Sequence, residues 1–134
     1  MTETMRAVVL DAPGPAQALQ IREVHIPGVA AGRVLIEVKA FGINLSELHF
    51  RKGMGSSGSS PRIPGIEATG VVVEAPGGEF IPGTQVAAIM GGMGRTIDGG
   101  YAQFVAVPAS IVIPFTSDLP WSTLEAMPEM LQTA

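Results

Sequence analysis

The 134-residue sequence contains no cysteine and only two histidines. Without cysteine, disulfide bonds and thiolate metal sites are excluded. A catalytic zinc site needs three nitrogen, sulfur or oxygen ligands in one cleft, and His25 and His49 are well separated in the sequence. His25 precedes Ile26 and Pro27 and is predicted to be a surface residue of a strand. The residue types therefore give little support to a metal site.

Charged and aromatic residues are also sparse. The eight lysines and arginines are dispersed along the chain, the net charge is −4, and aromatic residues make up 5% of the sequence. Nucleic-acid binding usually needs a concentrated basic surface, and binding of single strands usually needs aromatic side chains on which bases stack. We therefore expect no nucleic-acid partner.

Long apolar runs are missing as well. No stretch reaches the roughly 18 consecutive apolar residues of a membrane-spanning helix. The N-terminus has no basic region followed by an apolar core, so no signal peptide is predicted. We expect no membrane partner and take the cytoplasm as the default location.

The residues that are present indicate a β-rich domain with many turns. Hydrophobic residues make up 46% of the chain, and 17 glycines and 11 prolines are scattered between apolar runs. Strands are predicted at residues 5–10, 19–24, 34–41, 68–73, 84–90, 101–107 and 111–113. In residues 34–41, apolar residues alternate with polar ones, as in a half-buried strand. The pattern predicts an all-β sandwich or small barrel with one or two short helices.

The stretch from Pro64 to Glu74 is central to the prediction. Pro64 fixes its own φ, and Gly65 can adopt a backbone angle that other residues avoid. Glu67 then places a carboxylate at the start of a mostly apolar strand, where it is either a structural group or a catalytic one. Gly70 inside the strand indicates a bulge or a close approach of another backbone.

The segment after Gly42 changes from strand to helix. Asn44 is a candidate N-cap, and Glu47, three residues later, is its candidate capping-box partner. Ser46 and His49 are spaced so that a hydroxyl and an imidazole can meet on one face and pass a proton. The alternative is that Asn44 and Ser46 only cap the helix.

Two further motifs lie later in the chain. Residues 91–100 form a glycine-rich loop after a strand, but Ile97 stands where a dinucleotide fingerprint needs its third glycine, and no helix is predicted to follow. A glycine turn is therefore predicted there. Ser122 and Glu125 are predicted to form a second capping box, at the start of a helix near the end of the chain.

Several of these motifs, taken in order, resemble one family. The matching segments are residues 5–10, 32–44, 64–72, 82–86 and 99–108. The chain resembles the N-terminal domain of the medium-chain dehydrogenase/reductase superfamily, which includes alcohol dehydrogenases and quinone oxidoreductases. The resemblance implies a GroES-like, partly open β-barrel over residues 1–120. Residues 121–134 would then begin the connection to a nucleotide-binding Rossmann domain, which this chain does not contain.

Departures from the family pattern indicate a branch without zinc. Zinc-dependent members carry a cysteine at the position of Asn44 and a histidine at the position of Ile66. The four-cysteine lobe that binds a structural zinc would fall in residues 91–100, and it is absent. Quinone-oxidoreductase-like members have asparagine at the position of Asn44 and no metal, so the resemblance implies that no zinc is bound.

The resemblance also implies roles for individual residues. Ser46 and His49 match a proton relay, and Glu67 matches a carboxylate behind the active site that pairs with a cation. Asn44 and Thr133 match positions near the cofactor, NADPH or NADH. Without zinc to polarise a carbonyl, the implied substrates are quinones or enones, because conjugation lets hydride add without a metal.

Two expectations follow for the isolated chain. It should not be a competent enzyme, because the pyrophosphate site would lie in the other domain. Residues 121–134 should be disordered or covered by a second chain, giving self-association, unless they fold back on the barrel. Two other interpretations stay open: a free-standing binding or self-association module, and an alcohol dehydrogenase-like protein of unknown substrate.

Overall fold

The computed structural model describes residues 3–12, 14–44, 47–48 and 63–126. The elements with both ends in these ranges are β1 (Thr4–Leu10), β2 (Leu19–His25), β3 (Arg33–Ala40), β4 (Glu67–Glu74), β5 (Gln85–Ile89), β6 (Phe104–Pro108), β7 (Val112–Phe115) and α1 (Trp121–Glu125). Residues 47 and 48 are also helical. Single 3-10 turns precede β2 and β7. No helix in the described ranges is long and apolar enough to span a membrane.

The strands form two antiparallel sheets. The larger sheet has the order β6-β3-β4-β5-β7, and β1 and β2 form a separate hairpin. The prediction of a mainly β, partly open fold with one or two short helices is confirmed, and the structure shows open sheets and few helices.

The predicted sixth strand begins too early. Residues 101–103 join the two sheets instead, because Val8 donates a backbone hydrogen bond to Tyr101 O and Val38 donates one to Gln103 O. β6 proper begins at Phe104, where continuous pairing with β3 starts.

An exposed His25 ends β2, as predicted.

The main core lies on one face of the larger sheet. The alternation in β3 places Val34 and Ile36 there, both with no exposed surface. They pack with apolar residues of the neighbouring strands and of the glycine-rich loop, namely Ala68, Val72, Val86, Ala88, Met93, Val105, Val107 and Val112. A second cluster under the hairpin includes Met5, Ala7, Val9 and Tyr101. The burial of these apolar surfaces provides most of the driving force for folding.

Glycines allow two close backbone contacts near the start of β4. Gly70 lies opposite Val38, beside a register shift in the β3–β4 ladder, and any Cβ on Gly70 would overlap the carbonyl of Glu37. Gly65 has a φ of +113°, and a Cβ there would lie 2.7 Å from Gly100 N. Both predictions about these glycines are confirmed. The glycine-rich loop packs on the Pro64–Gly65 backbone, and no helix follows it before β6.

Candidate functional site

Three glutamates are buried together where β3 ends and β4 begins. Glu47, Glu67 and Glu125 are only 7%, 3% and 5% exposed. We call them, together with Asn44 and Tyr101, the carboxyl cluster. A buried carboxylate is costly unless donors or charges compensate it, so such a group constrains its surroundings strongly.

Asn44 and Glu67 are in direct contact. The Asn44 side-chain amide donates a hydrogen bond to Glu67 Oε2 at 2.6 Å. Glu67 is the first residue of β4, and Asn44 follows the end of β3. Gly42 makes the contact possible, because a Cβ on Gly42 would lie 2.7 Å from Glu67 Oε2. Two of the predicted site residues, Asn44 and Glu67, are therefore brought together.

Glu47 joins three separate segments. Its Oε1 accepts hydrogen bonds from the Asn44 backbone N–H at 2.6 Å and from the Tyr101 hydroxyl at 3.1 Å. Its Oε2 accepts one from the Ile66 backbone N–H at 3.3 Å. The bond to the Asn44 backbone is the one expected from the Glu of a capping box. Glu47 therefore ties the helical turn after β3 to the start of β4 and to the loop before β6.

Burial alters the acidity of both partners in this contact. It raises the pKa of Glu47, and the hydrogen bonds from Asn44, Tyr101 and Ile66 oppose that rise. Burial also raises the pKa of Tyr101 above its usual range, and the Glu47 carboxylate beside it adds to the increase. The Phe41 ring packs on Tyr101 with the ring centroids 4.6 Å apart. Tyr101 is therefore held as a neutral donor.

Glu125 enters the cluster from α1, and the predicted Ser122–Glu125 capping box is wrong. The helix starts two residues earlier than that motif requires, after Pro120, and no side chain caps it. Glu125 is instead turned inward against β3 and β4. Burial raises its pKa to about 8, the Thr69 hydroxyl and the Gly42 backbone oppose the rise, and the Glu67 carboxyl group adds to it.

The residues at this site do not fit a catalytic zinc. The Asn44 amide nitrogen is a donor committed to Glu67, and the Ile66 side chain is apolar and buried. Within the described ranges, no group of three or more histidine, cysteine, aspartate or glutamate side chains is arranged to hold a metal ion. Glu67 alone has the chemistry of a zinc ligand among the residues at positions 44, 66 and 67.

The other predicted site residues cannot be placed. Ser46, His49 and Thr133 lie outside the described residues, so the proton relay and the second cofactor position stay predictions. Tyr101 and Glu125 were not predicted as site residues. Each contacts partners that are distant in the sequence; Tyr101, for example, is 54 positions from Glu47. The local spacing of residues does not predict contacts of this kind.

A cleft of about 440 Å³ borders the cluster. Phe41 and Tyr101 form part of its wall, together with the cations Arg6 and Lys39, and Lys39 forms an ion pair with Glu37. Its other lining residues are mostly apolar. Ligand sites commonly combine this size with an apolar lining and a few polar groups.

Comparison with known proteins identifies the relatives of this domain. The alcohol dehydrogenase GroES-like domain family matches residues 30–117. The synaptic vesicle membrane protein VAT-1 homolog-like of Mus musculus is 29% identical over 98% of this chain and 31% of its own length. The putative quinone oxidoreductase YhfP of Bacillus subtilis is 30% identical over 82% of this chain and 33% of its own length.

A solved structure agrees with these matches. The cobalt- and zinc-bound thermostable alcohol dehydrogenase of Pyrobaculum aerophilum is 30% identical, with a TM-score of 0.80 over 92% of this chain and 45% of that one. The chain spans about a third of the length of the curated relatives it matches. The matches include quinone oxidoreductases and alcohol dehydrogenases, so they indicate oxidoreductase relatives of more than one kind.

Proposed function

Because the chain belongs to the alcohol dehydrogenase GroES-like domain family of the medium-chain dehydrogenases and reductases, we propose that it is the substrate-side domain of a zinc-independent, NAD(P)H-dependent quinone or enone oxidoreductase. The observation that carries the proposal is the hydrogen bond from the Asn44 amide to Glu67. An amide donor and an apolar Ile66 stand where zinc-dependent members have ligands. In this proposal, residues 1–120 form the barrel and residues 121–134 begin the connection to a nucleotide-binding domain.

The chemistry that suits such a site needs no metal. A reduced nicotinamide, when bound, supplies hydride, and a conjugated acceptor spreads the developing negative charge over its own carbonyl oxygen. The chain's residues would then orient the reactants and supply a proton. Asn44, held in place by Glu67, would lie beside the nicotinamide together with Thr133, and Ser46 and His49 would deliver the proton.

The cleft beside Phe41 and Tyr101 is our candidate for the substrate site. Its aromatic wall suits the face of a planar quinone, and Arg6 and Lys39 are cations that suit its carbonyl oxygens. Quinones and activated enones fit this combination better than simple alcohols, whose oxidation would need an electrophile to bind the alkoxide.

The test uses this domain joined to a nucleotide-binding domain, as in its longer relatives. We expect NADPH-dependent reduction of 1,4-naphthoquinone that persists in the presence of a chelator. Asn44→Ala should lower kcat/KM by roughly a factor of 10², whereas the exposed Glu79→Gln should leave it unchanged. Alcohol oxidation that requires added zinc would refute the proposal and favour the alcohol dehydrogenase-like alternative.

The isolated chain should behave differently. We expect no NAD(P)H oxidation with quinones at an enzyme-like rate, since the pyrophosphate site would lie in the other domain. Turnover on the order of 1 s⁻¹, near the low end of typical enzymes, would contradict this.

A second candidate function is a binding or self-association module without activity. It is favoured by Ile43 and Phe41, which are 84% and 39% exposed beside the cluster, because apolar groups at a site rim often meet a partner. The described start of the tail argues for folding back, since Leu124 is buried. Light scattering on the intact chain and on Ile43→Ser decides: a dimer lost in the variant supports the module, and a monomer in both refutes it.

A further inference from the structure

Glu125 is a poorly hydrogen-bonded member of the carboxyl cluster. Both of its carboxyl oxygens are buried, and within the described part of the chain neither has a hydrogen-bond partner of good geometry. The residue is 5% exposed, so solvent does not replace the missing donors. As a carboxylate, Glu125 would be a buried negative charge with little compensation from the Thr69 hydroxyl and the Gly42 backbone, which is an expensive arrangement.

A hydrogen-bond acceptor, the Glu67 carboxylate, lies close to Glu125. Glu125 Oε1 and Glu67 Oε2 converge on the backbone of Gly42, where an ideal Cβ would lie 3.5 Å from the first oxygen and 2.7 Å from the second. A protonated carboxyl group has an O–H to donate, and the Glu67 carboxylate can accept it. Two carboxyl groups held this close seldom ionise together, because their charges repel.

We propose that Glu125 is a positioning residue that shares a single proton with Glu67 and thereby orients the Glu67 carboxylate towards the Asn44 amide. The pair carries one proton and one negative charge in all. The oxygen of Glu67 that accepts the Asn44 amide is then fixed from two sides, by Asn44 and by Glu125. The inference builds on the proposed function, since it assigns α1 a part in holding the same site.

The surroundings of the pair are consistent with this assignment. Among the described residues, Glu67 is the charged group that faces Glu125 from β4, the neutral Thr69 hydroxyl lies beside it, and the end of β3 contributes the Gly42 backbone. Glu47 is the next carboxyl group, and the charge of Glu67 contributes to the raised pKa of Glu47. The raised pKa of Glu125 agrees with a neutral acid near pH 7.

The sign of the resulting pH dependence follows from linkage. The folded pair holds a proton that the unfolded glutamate releases near its ordinary pKa. The stabilisation is therefore complete below that pKa and is lost as the pH rises to the folded value of about 8. Glu125→Gln keeps a neutral donor to Glu67 but cannot ionise, so the variant should lack this part of the pH dependence.

The experiment compares the unfolding of the full chain, its Glu125→Gln variant and the exposed-site control Glu79→Gln between about pH 5 and pH 9. The unfolding constant of the wild type, divided by that of Glu125→Gln, should rise up to about tenfold per pH unit until about pH 8, and then level off. The control should follow the wild type. A ratio that does not change with pH would overturn the shared proton.

A second measurement tests positioning rather than stability. In the wild type, the side-chain amide resonances of Asn44, identified by their loss in Asn44→Ser, should shift with a midpoint near pH 8. In Glu125→Gln they should not shift over that range. Resonances that titrate equally in both chains, or in neither, would refute the positioning role. Neither experiment uses substrate, cofactor or metal, so failure of the proposed function and failure of this inference are distinguishable.

Discussion

The main core and the carboxyl cluster are both attached to β4 and are held together in different ways. Val72, towards the end of the strand, packs among apolar side chains of four other strands and the glycine-rich loop. Glu67, at its start, is surrounded by polar groups that must point in particular directions. Apolar contacts are non-directional, whereas a buried hydrogen bond is lost when one partner is removed. We therefore expect the core to be most sensitive to changes in side-chain size. The cluster should be most sensitive to removal of single hydrogen-bonding atoms.

The largest effect is expected where the core backbone is closest. Gly70→Ala would place a Cβ onto the Glu37 carbonyl, so the β3–β4 ladder must shift. We expect a loss of about 4 kcal/mol or more in the free energy of unfolding, measured by chemical denaturation. Gly28→Ala is the control, because a Cβ there meets nothing within 4 Å. Equal stability of the two variants would show that the close approach has no structural importance.

Truncation inside the core comes next. Ile36→Ala removes a side chain with no exposed surface and leaves a cavity, so about 2–5 kcal/mol of stability should be lost. Ile113→Ala removes a side chain that is 57% exposed, and its cost should be much smaller. Thermal unfolding of both variants measures the difference. Similar losses would place the core on the other face of the sheet.

In the cluster, one oxygen atom should matter. Tyr101→Phe removes the hydroxyl donor of Glu47, and we expect a loss of about 1–3 kcal/mol at pH 7. Without the Tyr101 hydroxyl, the pKa of Glu47 in the folded variant should rise further. The stability that comes from protonated Glu47 is complete below its ordinary pKa, so in the variant it should be lost at a higher pH than in the wild type. A double-mutant cycle with Glu47→Gln checks the pairing, since additive effects would mean that the two groups do not interact.

The smallest effect is expected at the surface of the hairpin. Asp11 and Arg22 form an exposed ion pair. Hydrogen bonds from the Arg22 guanidinium lower the pKa of the Asp11 carboxyl group. Solvent screens such pairs, so Asp11→Asn should leave the unfolding temperature unchanged within error. A clear decrease that disappears at high salt would show that the hairpin depends on this pair.

The contrast between core and cluster also explains which features the sequence predicts. Alternation places Val34 and Ile36 in the core, and the spacing of Asn44 and Glu47 predicts the capping box, because both signals are local. The position of Glu125 depends on α1 folding against β3 and β4, so its spacing from Ser122 suggested a cap that does not form. Tyr101 lies in residues 101–103, a segment that hydrogen-bonds to both β1 and β3. The alternation of residue types predicts only that this segment belongs to a strand.

The central claim is that an amide–carboxylate pair occupies the place of a zinc site. Its most direct test is elemental analysis of the chain after incubation with one equivalent of zinc and dialysis, with Glu67→Gln measured in parallel. We predict zinc well below one atom per chain in both proteins, because Asn44 and Ile66 offer no ligands there. One tightly bound zinc per wild-type chain, lost in Glu67→Gln, would contradict the account.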